Sequence, residues 1–251
     1  MQQNIGRLLH KKRHPLLEKI YSKLLISEKL RTNLEANILQ RVESILNRNG
    51  YAFNNFDNIL EFGCRYGRLT KYLFHLAPKA KIFGCDIEGD EVGKCKARLP
   101  KGNFYKTDVM PPLPFADKQF DFIFSYSVFT HLSEKTHQIW LKELARVLKR
   151  GGVMIHTIHS LACLERLRKF SPESISKYNF KDGIDRFMES PSPYYYTMDN
   201  PKMSEYGLTV MQPEYILENW PKITGLKVLE HSIGAIEGYP EGCQDIVILG
   251  D

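Results

Sequence analysis

The feature that most constrains this chain is a regular alternation of short apolar segments and helical segments from Asn58 onward. Apolar runs predict strands at 58–62, 81–86, 103–107, 120–127 and 151–159, and segments of helical period predict helices at 67–76, 90–98, 133–148 and 160–170. Strands that alternate with helices in this way form a parallel sheet with helices on both faces. The sequence therefore predicts an α/β fold with a doubly wound sheet.

The last fifth of the chain predicts a different strand pairing. A short helix is predicted at 213–220, and two further strands at 226–233 and 244–249. Only the short segment "GAIEGYPEGC" joins these two strands, which is too little for a crossover helix. We therefore expect the closing pair of strands to be antiparallel.

Two segments lie outside the alternating pattern. Residues 14–49 predict two amphipathic helices, so we assign residues 1–50 to an N-terminal helical cap and 51–251 to the main domain. Residues 171–210 are dense in Ser, Pro, Asn and Tyr without a clear period. Long irregular inserts of this kind are often lids or substrate loops, and we predict a lid here.

Composition and charge narrow the protein class. Of the 251 residues, 43% are hydrophobic and 25% charged, as in an ordinary globular protein. The N-terminus lacks a signal-peptide pattern and no apolar run could span a membrane, so we expect a cytoplasmic protein. The five cysteines form no C-x-x-C pair, which argues against a zinc or redox site.

A glycine turn and two acids follow the first three strands. Gly63 and Gly67 lie between the first strand and its helix, where backbone can approach a ligand and helix N–H groups are unpaired. Asp86 ends the second strand, where a carboxylate can accept both hydroxyls of a ribose. Asp108 follows the third, where it can accept from an exocyclic amine. Together they predict a pocket for an adenosine.

Other nucleotide sites fit less well. A nicotinamide-binding turn needs G-x-G-x-x-G, but positions 63, 65 and 68 are Gly, Arg and Arg. The phosphate-loop pattern G-x-x-x-x-G-K-[ST] is absent. Arginine at position 65 would be strained if its φ is positive, whereas with a negative φ its side chain could simply turn outward, and the residues alone leave both open.

At this point the sequence resembles the class I S-adenosylmethionine-dependent methyltransferases. Glu61, Gly63 and Gly67 match the acid and two glycines of their first motif, and Asp86 and Asp108 match their ribose and adenine acids. The resemblance implies a seven-stranded, mostly parallel sheet with a reversed last strand. "SVFTHL" (127–132) with "LKELARVLKRGG" (141–152) looks like a bacterial branch associated with glycan or natural-product tailoring.

The resemblance also implies site residues, with S-adenosylmethionine as the cofactor. The positions expected around the cofactor are Glu61, Gly63, Cys64, Arg65, Gly67, Arg68, Asp86, Ile87, Asp108, Val109, Ser125 and Tyr126. The aromatic residues expected to wall the site of the methyl acceptor, or else to pack within the loop, are Tyr194, Tyr195, Tyr196 and Tyr206.

Two histidines at strand ends are candidates for a general base. His131 follows the fourth strand and His159 ends the fifth, and histidine accepts protons near neutral pH. His131 has a second interpretation, in which it orders the turn before Ser133, a plausible helix cap. His156 is expected in the core. Because a neutral hydroxyl acceptor benefits from a general base, we expect methyl transfer to oxygen of a small molecule or glycan.

Two alternatives remain at the level of sequence. Residues 1–50 hold ten Lys or Arg against four Glu, which would suit an RNA methyltransferase, whereas nothing indicates a DNA partner. The second alternative is a subunit that binds the cofactor but does not catalyse methyl transfer. The fourth strand ends in Ser-Tyr-Ser, which lacks metal-binding carboxylates and the [DNS]-P-P-[FYW] motif of nucleobase amine methylation. No metal is expected.

Overall fold

A computed structural model describes residues 35–170, 192–198, 207–236 and 244–251 of the chain. The first predicted helix, most of the basic segment and much of the predicted insert lie outside these residues. The elements are α1 (35–48), a 3-10 turn (Phe53–Asn55), β1 (Asn58–Phe62), α2 (Thr70–Leu76), β2 (Lys81–Asp86), α3 (Gly89–Arg98), β3 (Asn103–Lys106), β4 (Phe120–Ser125), α4 (Glu134–Val147), β5 (Leu148–Ile158), α5 (Leu161–Phe170), β6 (Tyr194–Met198), β7 (Gly207–Met211), α6 (Pro213–Thr224), β8 (Lys227–Ile236) and β9 (Gln244–Gly250).

The main sheet has seven strands in the order β3-β2-β1-β4-β5-β9-β8. The first five strands of the chain pair with one another in parallel, whereas β9 is antiparallel to both β5 and β8. The predicted α/β fold and the predicted antiparallel closing pair are therefore confirmed. The strand order reverses direction beside β1, so the carboxyl ends of β1 and β4 form the switch point where such sheets bind ligands.

Helices cover both faces of the sheet. Strand β9 shows the arrangement most directly, because Ile246 and Ile248 pack into one core and Val247 and Leu249 into the other. Helices α1 and α2 pack on the first face, and α4 and α6 on the second. The predicted apolar stripe of the second N-terminal helix is confirmed for Ile38, Val42 and Leu46, all 1% exposed or less.

Part of the predicted irregular insert is regular. Strands β6 and β7 pair antiparallel, with Tyr194 opposite Met211, so the irregular interpretation is wrong for these residues. Helix α6 also extends beyond its predicted end. It continues through Pro221 to Thr224, and Gly225 ends it in the left-handed conformation with φ 74°. In the described part of the chain, no helix combines the length and apolarity needed to cross a membrane.

Candidate active site

The turn after β1 requires glycine at both predicted positions. Gly63 and Gly67 have φ values of 82° and 79°, in the region that side chains disfavour. A Cβ on Gly63 would lie 2.3 Å from Val128 Cγ2, and one on Gly67 would lie 2.7 Å from Leu99 Cδ1. The turn therefore runs close to the β4 loop on one side and to α3 on the other.

Arg65 takes the strained backbone conformation between these glycines. Its φ is 48°, and its N–H donates to Asp86 Oδ2 at 2.7 Å. The side chain is 68% exposed and its Nε lies 4.0 Å from Glu91 on α3. The alternative with a positive φ therefore holds, and the side chain turns outward as well. The left-handed conformation directs the backbone N–H of Arg65 toward the Asp86 carboxylate.

The position of Arg65 gives a first prediction. Arg65→Gly should raise the free energy of unfolding by about 0.5–1 kcal/mol, because glycine takes a positive φ without strain but loses more chain entropy. The backbone bond to Asp86 is kept, so affinity for S-adenosylhomocysteine should stay within about threefold. Urea unfolding and calorimetry test both values. Lys118→Gly, at another exposed position with φ 54°, is the control for strain relief alone, and weaker ligand binding in Arg65→Gly would place the guanidinium on the ligand.

The two predicted acids stand at neighbouring strand ends. Asp86 is half-buried, and its Oδ1 accepts the N–H of Glu88 at 3.0 Å. Asp108 is exposed just after β3. Each acid is followed by an apolar side chain open to solvent, Ile87 at 37% and Val109 at 52% exposure. Exposed apolar groups beside two carboxylates fit a flat base attached to a polar sugar, so these residues suit an adenosine.

Glu61 is a buried acid behind the glycine turn. It is 3% exposed and accepts a short hydrogen bond from the Thr70 hydroxyl. Burial raises the pKa of Glu61 to about 8, although Thr70 and Arg68 act in the opposite direction. A buried carboxyl with a raised pKa gains most from a cationic partner, so a ligand ammonium would fit here.

Arg68 connects the glycine turn to Tyr126 and to helix α1. The Arg68 guanidinium lies 5.7 Å from the centre of the Tyr126 ring, and its Nε lies 3.6 Å from Glu35 Oε1. Lys71 Nζ also contacts Glu35, at 2.8 Å. Two cations therefore share one buried carboxylate, and this fixes α1 beside the strand ends.

Two predicted cofactor residues have buried side chains. Ser125 is 0% exposed, and its hydroxyl lies 2.7 Å from His156 Nδ1. Cys64 is 2% exposed, and a hydrogen bond with Cys95 and burial raise its thiol pKa above the usual range. Ser125 faces the core beside His156, and Cys64 packs against Val92, Cys95 and Phe104. At these two positions, backbone groups would therefore be the ones that meet a cofactor.

The two candidate bases are held differently. His131 Nδ1 lies 2.7 Å from the carbonyl oxygen of Gly207, and Ser133 caps α4 by accepting from Thr136 N. A carbonyl only accepts, so the hydrogen of His131 is on Nδ1 and the proton-accepting electron pair is on Nε2. Burial, together with the nearby His131, lowers the pKa of His159 to about 3.

Two more histidines, His137 and His156, are buried in an aromatic core, as was expected for His156. Both are 0% exposed, and burial lowers the pKa of each to about 3. They pack around Phe129 and Trp220, with ring centres between 4.6 and 5.9 Å apart. Within the described residues, neither ring nitrogen of His137 has a hydrogen-bond partner.

These pKa values predict how stability depends on pH. In the unfolded chain these histidines bind a proton near pH 6.5, whereas in the folded chain they do so only near pH 3. Their contribution to the free energy of unfolding is therefore complete above about pH 6.5 and decreases as the pH falls. Glu61, with a raised pKa, has the opposite dependence in this range. We therefore compare variants: His137→Phe should gain about 2 kcal/mol relative to wild type between pH 7 and pH 5 in urea unfolding.

Exposed His75 provides the control for this comparison. His75→Phe should unfold with the same pH dependence as the wild type. Parallel pH dependences for wild type and His137→Phe would contradict the assignment of a neutral, buried His137.

The tyrosines divide between core and surface strand. Tyr194 donates to the Leu132 carbonyl at 2.8 Å, and its ring packs against His137 and Tyr215. Tyr195 and Tyr196 are half-buried on β6, whereas Tyr206 lies outside the described residues. Burial raises the pKa of Tyr194 above its usual range. Tyr194 therefore attaches β6 to the β4 loop.

Sequence reasoning missed a polar group at the start of β9. Gln244 and Asp245 are 1% and 0% exposed. Asp245 Oδ2 lies 2.8 Å from His231 Nε2, and Gln244 Nε2 donates to Ser127 Oγ at 3.1 Å. The available signal was the polar pair at the head of the otherwise apolar run "QDIVIL".

Comparison with known proteins shows what this domain resembles. The sequence model of the family described as "Methyltransferase domain" matches residues 60–156. A fatty-acid O-methyltransferase of Mycolicibacterium smegmatis is 33% identical over 39% of this chain and 36% of its own length. A trans-aconitate 2-methyltransferase of Rhizobium rhizogenes is 28% identical over 70% of this chain and 72% of its own. The match thus spans about a third of the first relative.

A solved structure shows the same fold over most of the chain. The 1,6-didemethyltoxoflavin-N1-methyltransferase of Burkholderia thailandensis, with bound 1,6-didemethyltoxoflavin and S-adenosylhomocysteine, superposes with a TM-score of 0.58 at 12% identity. The alignment covers 94% of this chain and 88% of that one. Residues 60–156 therefore match a methyltransferase domain, and the chain has the fold of S-adenosylmethionine-dependent methyltransferases.

Proposed function

We propose that this protein transfers a methyl group from S-adenosylmethionine to an oxygen atom of a small-molecule acceptor, with His131 as the general base. The observation that carries the proposal is the bond from His131 Nδ1 to the Gly207 carbonyl, which fixes one tautomer at the carboxyl end of β4. The two relatives described above bear names that refer to small molecules, a fatty acid and trans-aconitate, which agrees with an acceptor of this size.

The residues around the glycine turn would hold the cofactor. Asp86 would accept the ribose hydroxyls and Asp108 the adenine amine, while Ile87 and Val109 cover the base. Glu61 would face the ammonium. When bound, S-adenosylmethionine supplies a methyl group on a sulfonium, which is a good leaving group. The protein must then chiefly align the acceptor oxygen, because proximity supplies much of the barrier reduction.

Removal of the acceptor proton is the remaining chemical task. His131 would accept the hydroxyl proton at Nε2 while the acceptor oxygen takes the methyl group, whose bond to sulfur breaks and leaves S-adenosylhomocysteine. His159 suits this task less well than His131, because a ring with a pKa of about 3 binds a proton weakly at neutral pH.

We also propose that α1 and the β6–β7 hairpin enclose the acceptor. Gly207 N and Thr209 N donate to the carbonyls of His131 and Thr130, at 2.8 and 2.9 Å. The hairpin is therefore attached to the loop that carries the proposed base. Enclosure by these elements would exclude water during transfer.

A labelled methyl donor tests the proposal. S-adenosylmethionine with an isotopic methyl label is incubated with the protein and a metabolite extract of the source cell, and products are identified by mass spectrometry. We expect label on oxygen of a small molecule. Label confined to RNA, or binding of the cofactor without any labelled product, would overturn the proposed function.

A further inference from the structure

Gln244 presents a buried carbonyl that has no partner. It is the first residue of β9 and is 1% exposed. Its Nε2 donates to Ser127 Oγ at 3.1 Å, whereas no group in the described residues donates to its Oε1. An unsatisfied buried acceptor costs on the order of 1–3 kcal/mol. The position is therefore one where a donor from a ligand would be strongly favoured.

The direction of this carbonyl is fixed by its surroundings. Ser127 has a φ of 57°, and its N–H donates to Thr157 Oγ1 on β5 at 2.8 Å. The Ser127 and Thr130 hydroxyls lie 3.2 Å apart. Ser127 thus accepts from Gln244 and can donate onward to Thr130. Ser127 is thus held in a strained backbone conformation by groups from β5 and β9. Its bond to Gln244 fixes the orientation of the Gln244 side chain at the carboxyl end of β4.

His159 adds a second hydrogen-bond acceptor at the same end of the sheet. It directly follows Ile158, which pairs with Asp245, the residue after Gln244. The His159 ring forms a hydrogen bond with the backbone of Thr209, and this bond partly offsets the lowering of its pKa, as donation to a carbonyl does. The N–H of Thr209 already donates to the carbonyl of Thr130, so the His159 ring donates to the Thr209 carbonyl. Its Nδ1 is buried without a partner in the described chain. The hydrogen is therefore on Nε2, and Nδ1 can accept.

Resting on the proposed function, we propose that Gln244 Oε1 binds the substrate by accepting a hydrogen bond from one of its hydroxyl groups. His159 Nδ1 accepts a hydrogen bond from a second hydroxyl group. The preferred acceptor class is then a compound with neighbouring hydroxyls, methylated to an ether, rather than a carboxylic acid methylated to an ester. Two hydrogen-bond acceptors repel a carboxylate.

The chemistry of the labelled product separates the two acceptor classes. Mild alkali releases the methyl group of an ester as labelled methanol but leaves an ether intact. We expect the product formed from the metabolite extract to be stable to alkali. Release of labelled methanol would overturn the hydroxyl assignment while leaving methyl transfer to oxygen standing, and the absence of any labelled small molecule would overturn the proposed function itself.

Substitution tests Gln244 directly. Gln244→Met keeps the shape and removes the carbonyl, so KM for the labelled product's parent compound should rise about tenfold with a smaller change in kcat. The Kd for S-adenosylhomocysteine should stay unchanged. Gln138→Met is the matched control, since Gln138 bonds instead to Glu134 and to Tyr215 on α6. An unchanged KM in Gln244→Met would overturn the proposal.

A crystal structure of the complex with S-adenosylhomocysteine gives a readout that needs no acceptor. We expect an ordered water within hydrogen-bonding distance of Gln244 Oε1, on the side of the ligand sulfur. If the ammonium of S-adenosylhomocysteine occupies that position instead, Gln244 belongs to the cofactor site and the proposal is wrong.

Discussion

Replacing Asp86 with alanine is expected to weaken S-adenosylhomocysteine binding by about 100-fold, the largest loss we predict for a single substitution at the cofactor site. A carboxylate that accepts two ribose hydroxyls makes two charge-assisted hydrogen bonds, each worth roughly 1.5 kcal/mol or more. The same carboxylate accepts the N–H groups of Arg65 and Glu88, at 2.7 and 3.0 Å. Its removal therefore also releases the strained turn that would face the methionine end of the ligand.

Isothermal titration calorimetry measures this effect, with two reference variants. Asp90→Ala makes the same chemical change on the exposed first turn of α3 and should bind like the wild type. Asp86→Asn keeps one acceptor oxygen and should lose less affinity than Asp86→Ala. A dissociation constant for Asp86→Ala within threefold of the wild-type value would show that this carboxylate does not contact the ligand.

The fold was predictable because the pattern of apolar residues determines it. Strands β1, β2 and β9 are bounded by polar residues or glycines, and each has one run of apolar residues long enough for a strand. The β6 strand was not predicted, since "YYYTM" has no alternation and lies among prolines and asparagines. Its regular structure comes from pairing with β7, which is a tertiary contact that local sequence does not encode.

Site residues were predictable where their positions depend on the ends of strands. They were not predictable where their positions depend on how neighbouring strands pair. The positions of Asp86 and Asp108 follow from counting along strands that the sequence defines. The inward direction of Ser125 depends on its pairing with His156 across two strands, which a single sequence does not specify. Gln244 was missed for the same reason, because its importance comes from Ser127, which is distant in sequence.

Replacing His131 with asparagine is expected to lower the rate of methyl transfer to a hydroxyl acceptor by about 100-fold or more, the usual contribution of a general base. Asparagine is the informative choice because its amide N–H can keep the bond that His131 Nδ1 makes to the Gly207 carbonyl. The β7 strand should therefore stay in place while the proton acceptor is lost. Single-turnover rates at saturating cofactor measure the chemical step, and the pH dependence of the wild-type rate should disappear in the variant.

Two comparisons separate this chemistry from a structural effect. The Kd for S-adenosylhomocysteine and the free energy of unfolding should be near wild type in His131→Asn, and His75→Asn on the exposed surface of α2 should leave the rate unchanged. If the methyl acceptor were a carboxylate, it would already be ionised at neutral pH and would need no base. A wild-type rate in His131→Asn would therefore exclude the histidine base, and an alkali-labile product would then identify the reaction as ester formation.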